Sequence, residues 1–180
     1  HYPFKPTGQT FQGNPIYSTI VNKKEVNLII LREEAVNAQC LTESFPNPSL
    51  IVFISRHSST SGKPTLSAHT PGNFGEAELG GLPRQLSISP AVAMCDALKA
   101  LSYFKEGMQL EYEVSYECTH HGPSLNAPTM FVELGSSPQQ WRDLKAAEAV
   151  AHAAMSAIGK FGVSEKKAVL GIGGTHYNER

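Results

Sequence analysis

The chain has 180 residues, 41% of them apolar and 17% charged, with a formal net charge of −1 and a pI near 6.7. That apolar content excludes a disordered chain, which needs few apolar residues and high net charge, and a chain this long buries ~70% of its unfolded surface. The charge balance announces no polyanionic partner, so a nucleic acid would have to be held by a local patch, a metal or a segment elsewhere.

Three unevenly spaced cysteines, Cys40, Cys95 and Cys118, argue against a disulfide framework and for a reducing compartment, here the cytoplasm. No apolar run approaches the ~18 residues of a membrane span, and no secretory signal opens the chain. The sequence starts at His1 rather than Met and stops at Arg180 shortly after a strong motif, which leads us to expect a fragment or a trimmed chain.

Residues 1–25 read as irregular, with a turn at Gly13-Asn14-Pro15. A first strand is predicted over 26–31, then a weak helix over 32–41 and a second strand over 50–55. Residues 56–88, rich in Ser, Thr, Gly, Pro and His, show no strong periodicity and read as one long loop, a feature that in compact domains is usually functional or disordered. Ser89 with Pro90 signals a helix start, followed by an apolar stripe of Ala91, Met94, Cys95, Leu98 and Leu101. Residues 110–118 alternate with a period of two, placing Glu111, Glu113, Ser115 and Glu117 on one face. Another strand is predicted over 129–134. Ser137, Pro138 and Gln140 form a capping box for a second helix, with Trp141, Leu144, Ala151, Met155 and Ile158 as its buried face and Gly159 or Gly162 as its end. A last strand is predicted over 168–172.

This alternation predicts an α/β fold, a three-layer domain with a mixed, partly parallel sheet. The link between residues 118 and 129 is short for a parallel crossover. It predicts an antiparallel hairpin that would set Glu133 ~13 Å from His120, at ~3.3 Å per residue.

Histidine placement is the main functional clue. Of seven histidines, His57, the pair His120-His121, and His176 each follow a predicted strand end, and His69 lies in the long loop. In open α/β sheets the carboxyl edge is where ligands bind. Imidazole is the commonest metal ligand and the usual acid or base near neutral pH, so His69, His120, His121 and His176 are candidate zinc ligands. A lone loop histidine is more often a solvated side chain, and His152, mid-helix among alanines, reads as structural. Ser58 and Thr119 are candidate nucleophiles or substrate contacts, although both residue types often only cap loops. Glu117 and Glu133 could orient a histidine or act as a base, or simply form the polar face of a sheet. Gly171-Ile172-Gly173-Gly174 lets backbone approach a ligand closely but is no dinucleotide motif.

The segments Ser55-Arg56-His57-Ser58-Ser59, His69-Thr70-Pro71-Gly72-Asn73, Thr119-His120-His121-Gly122-Pro123, Phe131-Val132-Glu133-Leu134-Gly135-Ser136-Ser137 with Trp141, and Leu170-Gly171-Ile172-Gly173-Gly174-Thr175-His176-Tyr177 occur in this order. Together they resemble the D-aminoacyl-tRNA deacylases of the archaeal and plant class. Gly13-Asn14-Pro15 with Tyr17 is similar to that family's early segment, and the likeness runs over residues 11–178. Thr175 stands where the family pattern leads one to expect Gly.

The resemblance implies a zinc-dependent enzyme that cleaves the ester joining a D-amino acid to the 3′ end of tRNA, with a fold related to phosphorylase- and peptidyl-tRNA-hydrolase-like domains. It implies one catalytic domain over 1–180, lacking a short N-terminal and a sizeable C-terminal portion.

Carried onto this sequence, His57, Ser58, Thr119, His120 and His121 are the catalytic candidates. Asn73, Gly122, Glu133, Gly173, Gly174 and Tyr177 are candidates for substrate contact. Zinc would be held by some of His69, His120, His121 and His176, with His57 or another histidine protonating the ribose oxygen. Backbone N–H groups near Gly122 or Gly173-Gly174 would face the oxyanion, so alanine at Gly122 or Gly173 is expected to lower turnover more than it unfolds the chain. A metal-free route would use His57 or His120 as base. Lys63, Arg84, Lys105, Lys166 and Lys167 are candidate phosphate contacts. The rival readings are a metal-dependent hydrolase of a small amide or ester without tRNA, and a non-catalytic relative that only binds its ligand.

Overall fold

A computed structural model describes residues 2–163 and 167–178. Residues 1–25, predicted irregular, instead build most of a three-stranded antiparallel sheet: β1 (Lys5–Phe11), β2 (Asn14–Val21) and β3 (Lys24–Leu28), in that order. Their polar, mostly exposed side chains hide the strand pattern. Only Ile16 and Val21 are buried in this sheet. The strand predicted over 26–31 ends at Leu28 and belongs here rather than in the main sheet. The helix predicted over 32–41 is replaced by a 3-10 turn, Ala35–Asn37, and a single helical turn, α1 (Leu41–Ser44).

The main sheet has strands β4 (Ile51–Arg56), β5 (Thr65–His69), β6 (Glu113–Glu117), β7 (Thr129–Gly135) and the short β8 (Tyr177–Asn178), in the order β4-β7-β5-β6-β8. β4 runs parallel to β7, β5 antiparallel to β7, β6 parallel to β5, and β8 antiparallel to β6. The expected α/β class with a mixed sheet therefore holds. The hairpin expected between 110–118 and 129–134 does not form, because β5, taken from the supposed loop, lies between them. The strand predicted over 168–172 is absent; that segment is irregular and exposed.

Two helices cover one face of this sheet. In α2 (Ala91–Gly107), Ala93, Met94, Ala97, Ala100 and Leu101 are buried. In α3 (Leu144–Lys160), the buried stripe is Ala146, Ala149, Val150, Ala153, Ala154 and Ala157. They pack on Leu66, Ala68, Met130, Val132 and Leu134 of the sheet. The face predicted for the second helix was misplaced: Leu144 is 84% exposed, because alanines let two helices approach closely over the sheet. Its cap also moves. Ser137 binds Gln140 as predicted, but Asp143 caps the helix, accepting from the Lys145 and Ala146 amides. Pro90, not Ser89, takes the N-cap position of α2.

The opposite face carries a layer of short turns and loops. Ala38, Leu41, Leu125 and Phe45 pack on Phe53 and Phe131. Among the described residues no helix is long and apolar enough to cross a membrane.

Candidate active site

The site lies on that second face of the sheet. Cross-strand register puts Ser55, Glu133, Ser67 and Ser115 in one row and Phe53, Phe131 and His69 in the next but one. Residues two apart share a face, so His57 and Glu117 join this face, while Leu66, Ala68, Val132 and Leu134 turn to the helices. β5 and β7 are buried on both faces, apolar under the helices and polar under the loops. The histidines thus do not meet at a common carboxyl edge, as the sequence led us to expect. β4 runs opposite to β5 and β6, and their carboxyl ends point to opposite sides. The side chains meet because they share a face and because the loops after β6 and before β8 fold across it.

Glu117 and Glu133, 0% and 3% exposed, anchor the cluster. Glu133 lies 3.5 Å from His57 Nδ1 and 3.4 Å from His69 Nε2, and Ser55 donates to it at 2.5 Å. Glu117 lies 3.5 Å from His57 Nδ1, 3.7 Å from His120 Nε2 and 3.1 Å from His176 Nε2. The ~13 Å separation expected for Glu133 therefore fails, since the hairpin behind it does not exist. Burial by itself would lower the pKa of His57, but the adjoining Glu133 and Glu117 carboxylates outweigh burial and raise it. Burial would raise the pKa of Glu133; His57, His69 and the Ser55 hydroxyl hold it well below the carboxylate range instead. His120 is pushed down to about 3 by burial and by the neighbouring His69, and His121 is lowered for the same two reasons.

His69, His120 and His121 converge, their ring centroids 4.3 to 4.8 Å apart, with one ligand atom from each within 4.8 Å of the others. The Nδ1 atom of each faces a backbone carbonyl: Thr70 at 3.3 Å, Cys118 at 2.8 Å and Gly122 at 2.6 Å. Such bonds fix the tautomer and leave Nε2 as the free donor, the outer-shell arrangement of metal-binding histidines. The buried Nε2 of His69 has no hydrogen-bond partner, its 3.4 Å approach to Glu133 lacking hydrogen-bond geometry. An orphaned nitrogen of this kind, with two imidazoles and a carboxylate nearby, fits a zinc ion. His121 holds a backbone φ of 44° to take this position. His176 lies beside the trio, 4.6 Å from the His120 ring, with Cys118 Sγ 3.4 Å from its Nδ1.

The remaining predicted residues divide. Tyr177 OH bonds His57 Nε2 at 2.9 Å. Ser58 is exposed on the rim of the cleft and Thr119 is half-buried off it; among the described residues neither is hydrogen-bonded to a histidine. Asn73 spends its amide on the Gly80 and Leu82 carbonyls. The Gly122 N–H is taken by the Leu79 carbonyl at 2.9 Å, so it is not free for an oxyanion. Gly173 and Gly174 are exposed.

Sequence reasoning missed Ser55 and the indole of Trp141, whose N–H holds the His57 carbonyl at 2.8 Å. It also missed Gly135. A Cβ there would lie 2.7 Å from His57 Cδ2, so only glycine admits the ring. All three lie in motif segments already quoted, but only the tertiary arrangement gives them a role.

A cleft of about 1210 Å³ leads to these side chains. It runs between the free edges of β3 and β4, lined by Ile29, Ile30, Leu50, Val52, Ile54 and Phe161, to His57, His120, His121 and His176. Leu79, whose carbonyl accepts from the Gly122 N–H, also lines it.

Residues 44–180 match the family model described as D-aminoacyl-tRNA deacylase. D-aminoacyl-tRNA deacylases of Thermococcus onnurineus and Pyrococcus furiosus are 34% and 37% identical to the chain over 98% of its length, covering 65% and 64% of their own. That of Methanoregula boonei is 47% identical over 73% of this chain and 29% of its own. The solved structure titled a conserved protein of unknown function, AF0625, is 31% identical with a TM-score of 0.76, covering 98% of this chain and 60% of that one. The chain thus spans about two thirds or less of the length of the relatives it matches. The histidines and the two glutamates of the cluster, His57, His69, Glu117, His120, His121, Glu133 and His176, all lie within the matched stretch, and the chain belongs to the D-aminoacyl-tRNA deacylase family.

Proposed function

We propose that this chain forms the catalytic body of an enzyme that hydrolyses the ester of D-aminoacyl-tRNA, releasing the D-amino acid from the tRNA 3′ end in the cytoplasm. The observation that carries the reading is that the cluster of buried His57, His69, Glu117 and Glu133 with half-buried His120 and His121 falls inside the family match and borders a cleft far larger than an amino acid.

His69, His120 and His121 would hold zinc, with His176 the next nearest imidazole. Bound there, the ion supplies Lewis-acid polarisation and makes water a competent nucleophile near neutral pH. The chain's own residues do the rest. Glu117 and Glu133 keep His57 protonated with Nδ1 toward them, so Nε2 carries the transferable proton toward the Tyr177 hydroxyl and the cleft. That proton is the one the ribose oxygen needs as it leaves. Trp141 and Gly135 hold the His57 backbone and ring in place.

Deacylation of matched D- and L-aminoacyl-tRNA, with two dissimilar amino acids, tests the reading. We expect strong preference for D and modest differences among D-residues. Equal rates on both enantiomers would overturn it. Chelation is expected to abolish activity and zinc to restore it, and His69→Ala or His120→Ala to lower bound metal by elemental analysis. Active protein free of metal would remove the zinc part and leave His57 or His120 as base.

A further inference from the structure

Arg56 follows Ser55 and precedes His57, but the alternation of β4 sends it to the other face of the sheet. Because β4 is the edge strand, the exposed Arg56 side chain can still line the cleft. Its guanidinium stands over the Trp141 ring, 5.1 Å from the centroid. The indole is itself bonded to the His57 carbonyl, so the platform is fixed to the catalytic histidine. A guanidinium held over an aromatic ring still has N–H groups to offer, and its fork matches a phosphate bidentately.

That edge is nearly free. Its one ion pair among the described residues, to Glu34 at 3.4 Å, joins side chains 59% and 74% exposed, an arrangement of small net value. Among the described residues the other lysines and arginines are engaged or do not line the cleft. Lys24, also on the cleft, donates to the Phe161 carbonyl. Of the phosphate contacts expected from sequence, Arg84 pairs with Glu76 at 2.8 Å and Lys105 sits in the last turn of α2. Lys63 lines a separate small pocket, and Lys167 is exposed. Lys166 lies outside the described residues.

We infer that Arg56, on its Trp141 platform, is the binding site for the 5′-phosphate of the terminal nucleotide of the substrate. The inference rests on the deacylase reading and deepens it. The ester is made at the ribose of that nucleotide, and only the ribose separates its oxygen from the 5′-phosphate. A group holding that phosphate beside His57 sets the ester against the catalytic side chains. Away from Arg56 the cleft carries Glu25 and Glu33, so among the described residues Arg56 marks its favourable place for a phosphate.

Trp141 is the one tryptophan of this chain and reports on the site directly. Its fluorescence is to be titrated with AMP, with adenosine and with deacylated tRNA. AMP should perturb the emission at lower concentration than adenosine. Arg56→Gln should weaken AMP about tenfold, erase its advantage over adenosine, and reduce the salt slope of tRNA binding by about one. Glu34→Gln removes the competing carboxylate and should tighten AMP about twofold to fivefold, an effect a merely structural Arg56–Glu34 pair would not give. Equal responses to AMP and adenosine, or unchanged AMP binding in Arg56→Gln, would overturn the inference while leaving D-aminoacyl-tRNA hydrolysis standing. Arg56-dependent AMP binding without D-selective hydrolysis would do the reverse.

Discussion

Glu117 and Glu133 are buried carboxylates whose ionic partners, among the described residues, are all imidazoles. Taking two charges from water is costly unless each is paired, and here the balance falls on His57. Its folded pKa lies above the ordinary 6.5. The stability gained by protonating it is therefore complete below pH 6.5 and is lost as pH rises through the folded value. A rate that needs the His57 proton falls over the same alkaline window. Glu133→Gln removes one cause of the rise, so the alkaline limb of kcat/KM should move to lower pH. A limb that stays in place would assign the titration to another group.

Two glycines separate packing from chemistry. A Cβ on Gly122 would lie 2.2 Å from the Gly81 nitrogen and 2.3 Å from the Val36 carbonyl oxygen, both backbone atoms. Gly122→Ala should therefore unfold or loosen the protein first, the reverse of the expectation from sequence. Gly135→Ala meets the His57 side chain and the Thr65 hydroxyl rather than backbone, so it displaces His57 and should lower kcat more than it lowers Tm. Parallel melting curves and turnover measurements on the two variants distinguish them.

At the scale of the element, β5 explains why so much of the site was hidden. Thr65, Ser67 and His69 alternate with Leu66 and Ala68, a period of two, but five residues within a polar stretch resemble loop. Polar strand faces are ordinarily solvent faces; this one is buried because it lines a site. The helices were more legible. Apolar periodicity located both, and the misjudged face of α3 came from weighing Trp, Leu and Met above alanine. The Asp143 cap carries a definite expectation. It accepts from two α3 amides and from the Tyr112 hydroxyl. Asp143→Ala should cost about 1 kcal/mol, a fall of roughly 2–4 °C in Tm by calorimetry. No change would show that the 3-10 turn before α3 caps it unaided.

At the scale of the molecule, the site joins β4, β5, β6, β7 and the segment before β8, residues 55 to 177 of the chain. Zinc bound by residues from two strand ends should therefore stabilise the whole fold by mass action. Tm should rise with zinc concentration, and His69→Ala should abolish that rise. A Tm indifferent to zinc would speak against a site formed by these histidines. The sequence by itself determined the family, the α/β class, the cores of β4, β6 and β7, the two long helices, and the histidines that gather at the candidate site. Those signals are local periodicities and ordered motifs, readable along the chain. Only the tertiary structure decided that β5 separates β6 from β7, that Glu133 reaches His57 and His69, and that the histidines meet on a face rather than at an edge. Strand order and direction are set by which surfaces bury each other across distant parts of the chain, and that long-range choice leaves no local period to read.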